Sequence, residues 1–263
     1  MEEQIMSKVN KDFDMYIEQL RLAHCDFMAD ELTNLINETG FHDMNVKEVI
    51  DRLVTAQFMG NRNHMIELRK KQALLSEPNA NLIDIDYSPE RKLNKSQIED
   101  FASNMYIKQK HNIILLGPTG CGKTFLANAL AVKACEDLYR VRIVTMFELL
   151  NKISAATITG QDIERLIKKY LKYDVLIIDD FLITIIPKES EKNVIYQILD
   201  KRIRSSNGSL IICSQISPQG WCEKLGGDAI AEGIIDRITS NAYKIIMQGE
   251  SQRLKRSTIQ KIE

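Results

Sequence analysis

A glycine-rich segment of eight residues, Gly117 to Thr124, constrains the fold of this chain more than any other feature. Its sequence, GPTGCGKT, fits the pattern G-x-x-x-x-G-K-[ST] and lies between an apolar segment and a segment with a helical pattern. Glycines let backbone amides converge on phosphate groups at the N-terminus of a helix, where the helix dipole favours anions. The pattern therefore predicts a strand, a phosphate-binding loop and a helix, in that order.

The loop and the helix after it carry the expected contacts to ATP. These contacts involve Gly117, Pro118, Thr119, Gly120, Cys121, Gly122, Lys123 and Thr124. Lys123 is expected to reach the β- and γ-phosphates and to take part in catalysis, while the Thr124 hydroxyl is expected to join the shell of a Mg²⁺ ion. No chemistry is assigned to the Cys121 thiol. The alternative, a chance match in a glycine-containing turn, does not account for the flanking strand and helix patterns.

A second motif, residues 174–180, has the sequence DVLIIDD. It predicts a buried strand that ends in carboxylates, at the edge of an open α/β sheet where ligands gather. Asp179 is expected to orient Mg²⁺, and Asp180 to act as the general base for the attacking water. Capping of the turn is the alternative role for Asp180. The long interval between Lys123 and Asp179 also predicts a strand inserted between the two motifs.

Polar residues further along the chain complete the candidate site. Ser214 and Gln215 end the next predicted strand and are candidate sensors of the γ-phosphate or of the attacking water. Arg237 closes a predicted helix and is not expected to face the nucleotide of its own subunit. It is a candidate arginine finger for a neighbouring subunit. An ion pair with Asp236, or a charge at the helix end, is the alternative role for Arg237.

Strands and helices alternate in the second part of the chain. Strands are predicted at residues 112–116, 141–145, 174–179, 210–214 and 242–247, with helical sequence between them. Parallel strands need such crossovers, so an α/β domain is expected, with a doubly wound parallel sheet and helices on both faces. The earlier residues are predicted to be helical, with one amphipathic helix that stops near Gly40 and a second that begins at Asn45.

These patterns divide the chain into four segments. The expected segments are a small all-helical domain at 1–80, a linker at 81–95, the ATPase core at 96–250 and a basic tail at 251–263. Alternation from Leu82 to Tyr87 predicts a short strand that leads into the linker. Ser96 and Glu99 fit a capping box at the start of the first core helix.

Composition and apolar patterning exclude several classes of protein. With 44% hydrophobic and 27% charged residues and a net charge of -1, the chain is typical of globular proteins. Its apolar runs are far shorter than the roughly 18 to 20 residues of a bilayer span, and its acidic N-terminus lacks a secretory signal. No membrane contact and a cytoplasmic location are therefore expected. The cysteines and histidines lack metal-ligand spacing, so reduced thiols and no zinc site are expected.

A series of short motifs runs in order through most of the chain. They are LIDIDY at 82–87 with Arg91 and Leu93, GPTGCGKT at 117–124, LIIDDF at 176–181, CSQ at 213–215 with Trp221, AIAEGIIDRI at 229–238 and GESQR at 249–253. The series resembles AAA+ ATPases and, more closely, the IstB family of transposition helper ATPases, which are relatives of the DnaC helicase loader.

The resemblance implies an ATP-dependent helper of DNA transposition. Such a helper forms homo-oligomers with ATP sites shared between subunits, coats and deforms duplex DNA with little sequence preference, and recruits a DDE-type transposase that stimulates hydrolysis. Its N-terminal helices serve self-assembly and partner contacts. The resemblance implies nucleotide-binding and hydrolysis roles for the residues at the family's motif positions, which are Lys123, Thr124, Asp179 and Arg237.

Two residues depart from the common AAA+ pattern. Asp180 stands where Glu is frequent and has a shorter reach, and Gln215 stands where Asn is commoner and adds a methylene. Two other functions compete with the transposition helper. A DnaC-like replicative helicase loader shares the ATPase core and differs in its partner, whereas a small-molecule P-loop kinase needs a substrate lid that the sequence does not show.

Two basic clusters are candidates for contact with DNA phosphates. The first contains Lys168, Lys169 and Lys172, interleaved with Tyr170 and Tyr173, and the second contains Arg253, Lys255 and Arg256. A solubilising surface is the alternative for each cluster, and packing against the next strand is the alternative for the two tyrosines.

Overall fold

The structure is a computed structural model that describes residues 13–158, 163–183, 186–204 and 208–252. Contacts within the chain group it into two compact units, Met1–Glu67 and Leu68–Glu263. This division falls before residue 80, where the sequence places the end of the helical domain. The roles assigned to the four predicted segments stay predictions.

The first unit is helical. Its elements are α1 (13–22), α2 (Asp26–Ile36), a 3-10 turn (Phe41–Asp43) and most of α3 (Val46–Ala73). The prediction of one continuous helix before Gly40 is wrong, because His24 takes a left-handed conformation (φ 57°) and separates α1 from α2. The predicted start of the next helix is confirmed: the Asn45 side chain accepts a 2.9 Å hydrogen bond from the Glu48 N–H.

Two contacts fix α3 against α2 within this unit. Gly60 lies inside α3, where a Cβ atom would overlap the ring of Phe27, so glycine is needed for close packing. The Arg52 guanidinium donates to Glu31 at 2.8 Å and to both oxygens of Glu38 at 2.6 Å. α3 continues past Gly60 to Ala73.

The segment before the sheet contains no strand, so the strand predicted at Leu82 to Tyr87 is wrong. Asn81 accepts a 3.1 Å hydrogen bond from the Ile83 N–H, and the chain turns into a 3-10 helix at Leu82–Asp84. Leu82, Ile85 and Tyr87 pack against the core without pairing to the sheet, whereas Ile83 is exposed.

Five parallel strands form the sheet of the second unit. They are β1 (Asn112–Leu116), β2 (Val141–Thr145), β3 (Val175–Asp179), β4 (Ser209–Ser214) and β5 (Ala242–Ile246). Their spatial order is β2-β3-β4-β1-β5, with β4 between the two motif-bearing strands β1 and β3. All five strand predictions and the inserted strand are therefore confirmed.

Helices cover both faces of this sheet, as predicted. They are α4 (Lys95–Ala102), α5 (Met105–Gln109), α6 (Lys123–Glu136), α7 (Met146–Ile158), α8 (Ile163–Leu171), α9 (Glu189–Arg204), α10 (Pro218–Lys224) and α11 (Ala229–Thr239). Alternate strand residues point to opposite faces. One apolar cluster joins β1 residues Ile113 and Leu115 to α4, α5 and α6, and the other joins Ile114 and Leu116 to α7–α11.

The capping box predicted at Ser96 is wrong. The N-cap of α4 is Asn94, whose side chain accepts a hydrogen bond from the Gln97 N–H at 3.3 Å. The helix ends at Ala102, because Asn104 adopts a left-handed conformation (φ 57°) and separates α4 from α5. Two good N-cap residue types lie close together in this stretch, and the earlier one is used.

Asn112 connects β1, β4 and α11 through a buried side-chain amide. Its Nδ2 lies 3.2, 3.0 and 3.4 Å from the carbonyls of Arg237, Ile238 and Ser240, and its Oδ1 accepts the Leu210 N–H at 2.9 Å. Asn112→Ala is expected to lower the free energy of unfolding by about 2–3 kcal/mol, because it leaves buried groups unpaired.

Urea denaturation of the full chain measures this loss. The matched control is Asn193→Ala, since Asn193 is exposed and donates only to Glu189 of its own helix. That variant is expected to change stability by less than about 0.5 kcal/mol. Equal midpoints for the two variants would contradict the role of Asn112.

Candidate nucleotide site

The glycine-rich loop joins β1 to α6 and opens into a cleft. Gly120 (φ 79°) and Gly122 (φ 93°) have left-handed conformations, and Gly122 is the N-cap of α6. A Cβ atom at Gly120 would also overlap the Ser251 hydroxyl. The loop therefore requires glycine for its backbone, and it places the positive end of the α6 dipole at the cleft.

Two charged or polar side chains at the start of α6 are held in place by the protein. Lys123 is 6% exposed, and its Nζ donates to the carbonyls of Gly117 and Pro118, both at 2.8 Å. The Thr124 hydroxyl donates to Oδ2 of Asp179 at 2.8 Å. The glycine-rich loop and the acidic end of β3 thus converge on one place.

The donor set at this point fits Mg²⁺. A threonine hydroxyl and a carboxylate are oxygen ligands, and Mg²⁺ in nucleotide sites is held by one or two such groups together with phosphate oxygens. Across the described ranges, no cluster of three His, Cys, Asp or Glu side chains offers a metal site made of protein alone. Thr124 and Asp179 therefore suit a metal ion that arrives with a nucleotide.

Asp180 follows β3 directly and lines the same cleft. Its backbone takes a left-handed conformation (φ 52°), and its N–H donates to Oδ1 of Asp179 at 2.9 Å. Aspartate tolerates this conformation better than most residues, and such conformations concentrate at functional sites. Asp179 thus contacts Thr124, while the next residue, Asp180, lines the cleft.

Ser214 and Gln215 have separate environments at the end of β4. The buried Ser214 hydroxyl donates to the Phe181 carbonyl at 2.8 Å and accepts from the Ile216 N–H and from Trp221 Nε1, both at 3.1 Å. Its single donor and both acceptor positions are used, so Ser214 has no donor for a phosphate. Gln215 lines the cleft and is the candidate sensor that the geometry supports.

The cleft also includes residues outside the glycine-rich loop and the DVLIIDD motif. Arg91 is 4% exposed and donates through Nη2 to the Cys121 carbonyl. The Gln252 N–H donates to the Gly120 carbonyl at 2.9 Å, and Met247 lines the wall. Arg91 appeared in the sequence only as part of the resemblance, because no local pattern links it to the loop.

Arg237 does not line this cleft. On α11, its Nε and Nη2 donate to Oδ1 of Asp200 at 3.1 and 2.8 Å, and its guanidinium lies 4.7 Å from the Tyr196 ring centre. The hydrogen bond to Asp200 raises the pKa of Arg237 and lowers that of the Asp200 carboxyl. Asp236, the predicted pairing partner, is more distant at 3.7 Å.

Of the two basic clusters, only the first lies within the described residues. Lys168 forms an ion pair with Glu164 at 3.0 Å, whereas Lys169 and Lys172 line a groove together with Tyr173. Tyr170 is buried in the core, so packing is confirmed as its role. The second cluster, Arg253, Lys255 and Arg256, lies outside the described residues.

Three features define a P-loop ATP-binding protein of the AAA+ class. They are a glycine-rich loop before a helix, the acidic end of a strand beside that loop, and another strand between the two motif-bearing strands. A family model described as "IstB-like ATP binding protein" matches residues 16–260. The chain therefore belongs to the family of IstB-like ATP-binding proteins.

Two relatives that align with nearly the full length of this chain support this assignment. The insertion sequence IS232 protein of Bacillus thuringiensis subsp. berliner, named as an ATP-binding protein, is 28% identical over 240 residues, which is 91% of this chain and 92% of that protein. The insertion sequence protein y4uH of Sinorhizobium fredii (strain NBRC 101917 / NGR234), also named as ATP-binding, is 30% identical over 237 residues, 90% of this chain and 92% of that protein.

Solved structures share the fold. AMPPCP-bound DnaA from Aquifex aeolicus superposes with a TM-score of 0.56 at 20% identity, covering 69% of this chain and 54% of that one. The DnaC helicase loader superposes with a TM-score of 0.54 at 20% identity, covering 65% of this chain and 97% of that one. These similarities establish the AAA+ architecture of the second unit.

Proposed function

We propose that this protein is an ATP-dependent helper of DNA transposition. It oligomerises on target duplex DNA, hydrolyses ATP with Mg²⁺, and recruits or regulates a DDE-type transposase. The observation that carries the ATPase part is the 2.8 Å hydrogen bond between Thr124 and Asp179, because it brings both nucleotide motifs to one cleft. Membership of the family, with relatives named after insertion sequences, supports the role in transposition.

Residues of the nucleotide site have separate roles in the proposed hydrolysis of ATP. Thr124 and Asp179 would hold Mg²⁺, which neutralises charge on the β- and γ-phosphates. Lys123 exchanges its two carbonyl partners for phosphate oxygens. Asp180 accepts a proton from water as the water oxygen attacks the γ-phosphorus, and the bond from that phosphorus to the bridging oxygen breaks to release ADP. Gln215 orients the water through its amide.

Arg237 has a different place in the proposal. Since it lies on α11 and does not line the cleft of its own chain, it is assigned to the ATP site of a neighbouring subunit. A homo-oligomer with shared ATP sites follows from this assignment. The helices before the sheet are assigned to self-assembly and to contacts with the transposase.

A cytoplasmic location completes the proposal, because target DNA and ATP are found there. In the part of the chain that the structure describes, every helix is too short or too polar to cross a bilayer. The proposal accordingly includes no membrane partner.

Asp180→Asn tests hydrolysis directly. The amide keeps the size of the side chain but cannot accept the proton, so kcat is expected to fall by about 10²–10⁴-fold with ATP affinity retained. Phosphate release measures kcat, and calorimetry measures binding. The control Asp100→Asn changes an exposed carboxylate on α4 and should leave both values at the wild-type level.

The runner-up function, a DnaC-like helicase loader, differs in its partner. Capture experiments with the purified chain and a non-hydrolysable ATP analogue separate the two functions. Retention of a DDE-type transposase supports the transposition helper. Retention of a replicative helicase, with no transposase bound, would replace the proposal by the loader.

A further inference from the structure

A basic groove lies in the second unit at the end of the sheet opposite the nucleotide cleft. It is lined by Arg69, Gln72, Arg140, Val141, Lys169, Lys172 and Tyr173. In the pairing of β2 with β3, Val141 lies opposite Val175 at one end and Thr145 opposite Asp179 at the other. Four residues of strand, roughly 13 Å, therefore separate the groove from the metal-binding end.

Three separate segments contribute basic side chains to the lining of this groove. Arg69 comes from the last turns of α3, Arg140 from the start of β2, and Lys169 and Lys172 from the end of α8 and the turn after it. Of the residues that the structure describes, no aspartate or glutamate lines the groove. The carboxylate of Asp174 pairs with Arg140 through contacts of 3.1 and 3.3 Å.

The absence of carboxylates is local to the groove. Other lysines of the second unit have acidic partners, such as Lys168 with Glu164 at 3.0 Å and Lys133 with Asp137 at 3.5 Å. Within the described ranges, Lys169 and Lys172 form no ion pair. Like charges that converge without acids repel each other, so this arrangement is stabilised when an anion binds.

A second, independent observation is an unpartnered donor. Nε of Arg69 is buried and has no hydrogen-bond partner among the described residues. A buried donor without a partner is costly, so the hydrogen bonds of the Arg69 guanidinium are incomplete in this structure. Burial lowers the pKa of Lys152, which is outside the groove lining; the nearby Arg142 lowers it further, Glu148 raises it, and Lys169 lowers it again.

We infer that this groove binds the phosphodiester backbone of duplex nucleic acid, with Arg69, Lys169 and Lys172 as the phosphate contacts. The inference rests on the proposed function and adds to it the surface that meets DNA. Arg140 has a different part, since its pairing with Asp174 fixes the groove wall. The partner's sequence is not read here, because guanidinium and ammonium groups on phosphates carry no base information.

The triple variant Arg69→Gln, Lys169→Gln, Lys172→Gln tests the inference. Binding of a labelled 30-bp duplex is followed by fluorescence anisotropy with a non-hydrolysable ATP analogue, between about 50 and 300 mM salt. The slope of log affinity against log salt is expected to fall by about 2–3, since each lost phosphate contact removes about 0.9. Affinity at low salt should fall at least tenfold, while ATP affinity and hydrolysis without DNA stay unchanged.

The matched control removes the same charge elsewhere. Lys95, Lys133 and Lys168 each pair with an acid four residues away, so their change to Gln lowers net charge equally. The control should keep the wild-type salt slope. Equal losses in both triple variants, or a groove variant with the wild-type slope, would overturn the inference.

Two further arms complete the test. Inorganic phosphate at constant ionic strength should not displace the duplex, and displacement at millimolar levels would mark a site for free phosphate instead. Lysine acylation of the wild-type chain, compared with and without DNA, needs no substitution. Bound DNA should lower the acylation of Lys169 and Lys172 but not that of Lys168. Failure of the wild-type chain to bind any duplex would overturn the proposed function as well, whereas binding with unaffected groove variants overturns only this inference.

Discussion

Lys123→Ala is expected to weaken ATP binding by about 10²–10³-fold and to abolish ATP-dependent assembly on DNA, because truncating one member of a buried charge pair costs roughly 2–5 kcal/mol. Lys123 is 6% exposed, and its two contacts in the protein are neutral carbonyls of the glycine-rich loop. A buried ammonium held this way is suited to exchange those carbonyls for phosphate oxygens. Calorimetry with ATP and Mg²⁺ measures the affinity, and electron microscopy with duplex DNA measures assembly.

Lys133→Ala is the matched control for this result. Lys133 lies on the same helix, α6, and its side chain is partly exposed and pairs with Asp137. Its loss should change ATP affinity by less than about twofold, as for most exposed ion pairs. If Lys123→Ala, folded by circular dichroism, still assembled on DNA with ATP as the wild type does, the cleft would not be the site that controls assembly.

Much of the candidate site could be predicted because its geometry follows from short sequences. The loop before Lys123 requires glycine backbone conformations, and parallel strands place their carboxyl ends at one edge of the sheet. Thr124 and Asp179, 55 residues apart, therefore meet as expected. Five strands were predicted for a similar reason, since buried parallel strands are short, continuous apolar runs.

The predictions that were wrong concern places where two local signals compete. From Leu82 to Tyr87 the apolar residues alternate, but Ile83 is exposed, so an alternating pattern alone does not show that a backbone pairs with a sheet. Asn94 and Ser96 are both good N-cap residues, and only the path of the chain determines which one is used. The left-handed residue His24 has no pattern that predicts a helix break.

Other features could not be predicted because they join distant segments. Arg91 reaches the Cys121 carbonyl from 30 residues away, and Gln252 closes the other side of the loop. The basic groove is similar, since Arg69 lies about 100 residues from Lys169 in the chain, although the two line the same surface. Sequence alone shows the lysines as a local cluster and does not distinguish the paired Lys168 from its free neighbour.

The second large effect is expected for Arg237→Ala, which should lower kcat by about 10³-fold while ATP affinity changes by less than about twofold. Affinity is retained because Arg237 does not line the cleft of its own chain. Asp200 and the Gly233 carbonyl take up three of its five N–H donors, so one donor on each terminal nitrogen is left for a phosphate of another subunit. Phosphate release and calorimetry separate the two effects.

Mixing subunits decides where Arg237 acts. Arg237→Ala keeps an intact cleft, and Asp180→Asn keeps an intact arginine, so each lacks what the other supplies. In an equimolar mixture about a quarter of the head-to-tail interfaces pair an intact cleft with an intact arginine, and turnover should recover to that order. Since neither variant has such an interface alone, recovery requires that the arginine cross between subunits. A mixture no more active than its components would place Arg237 in its own subunit, where Asp200 already holds it.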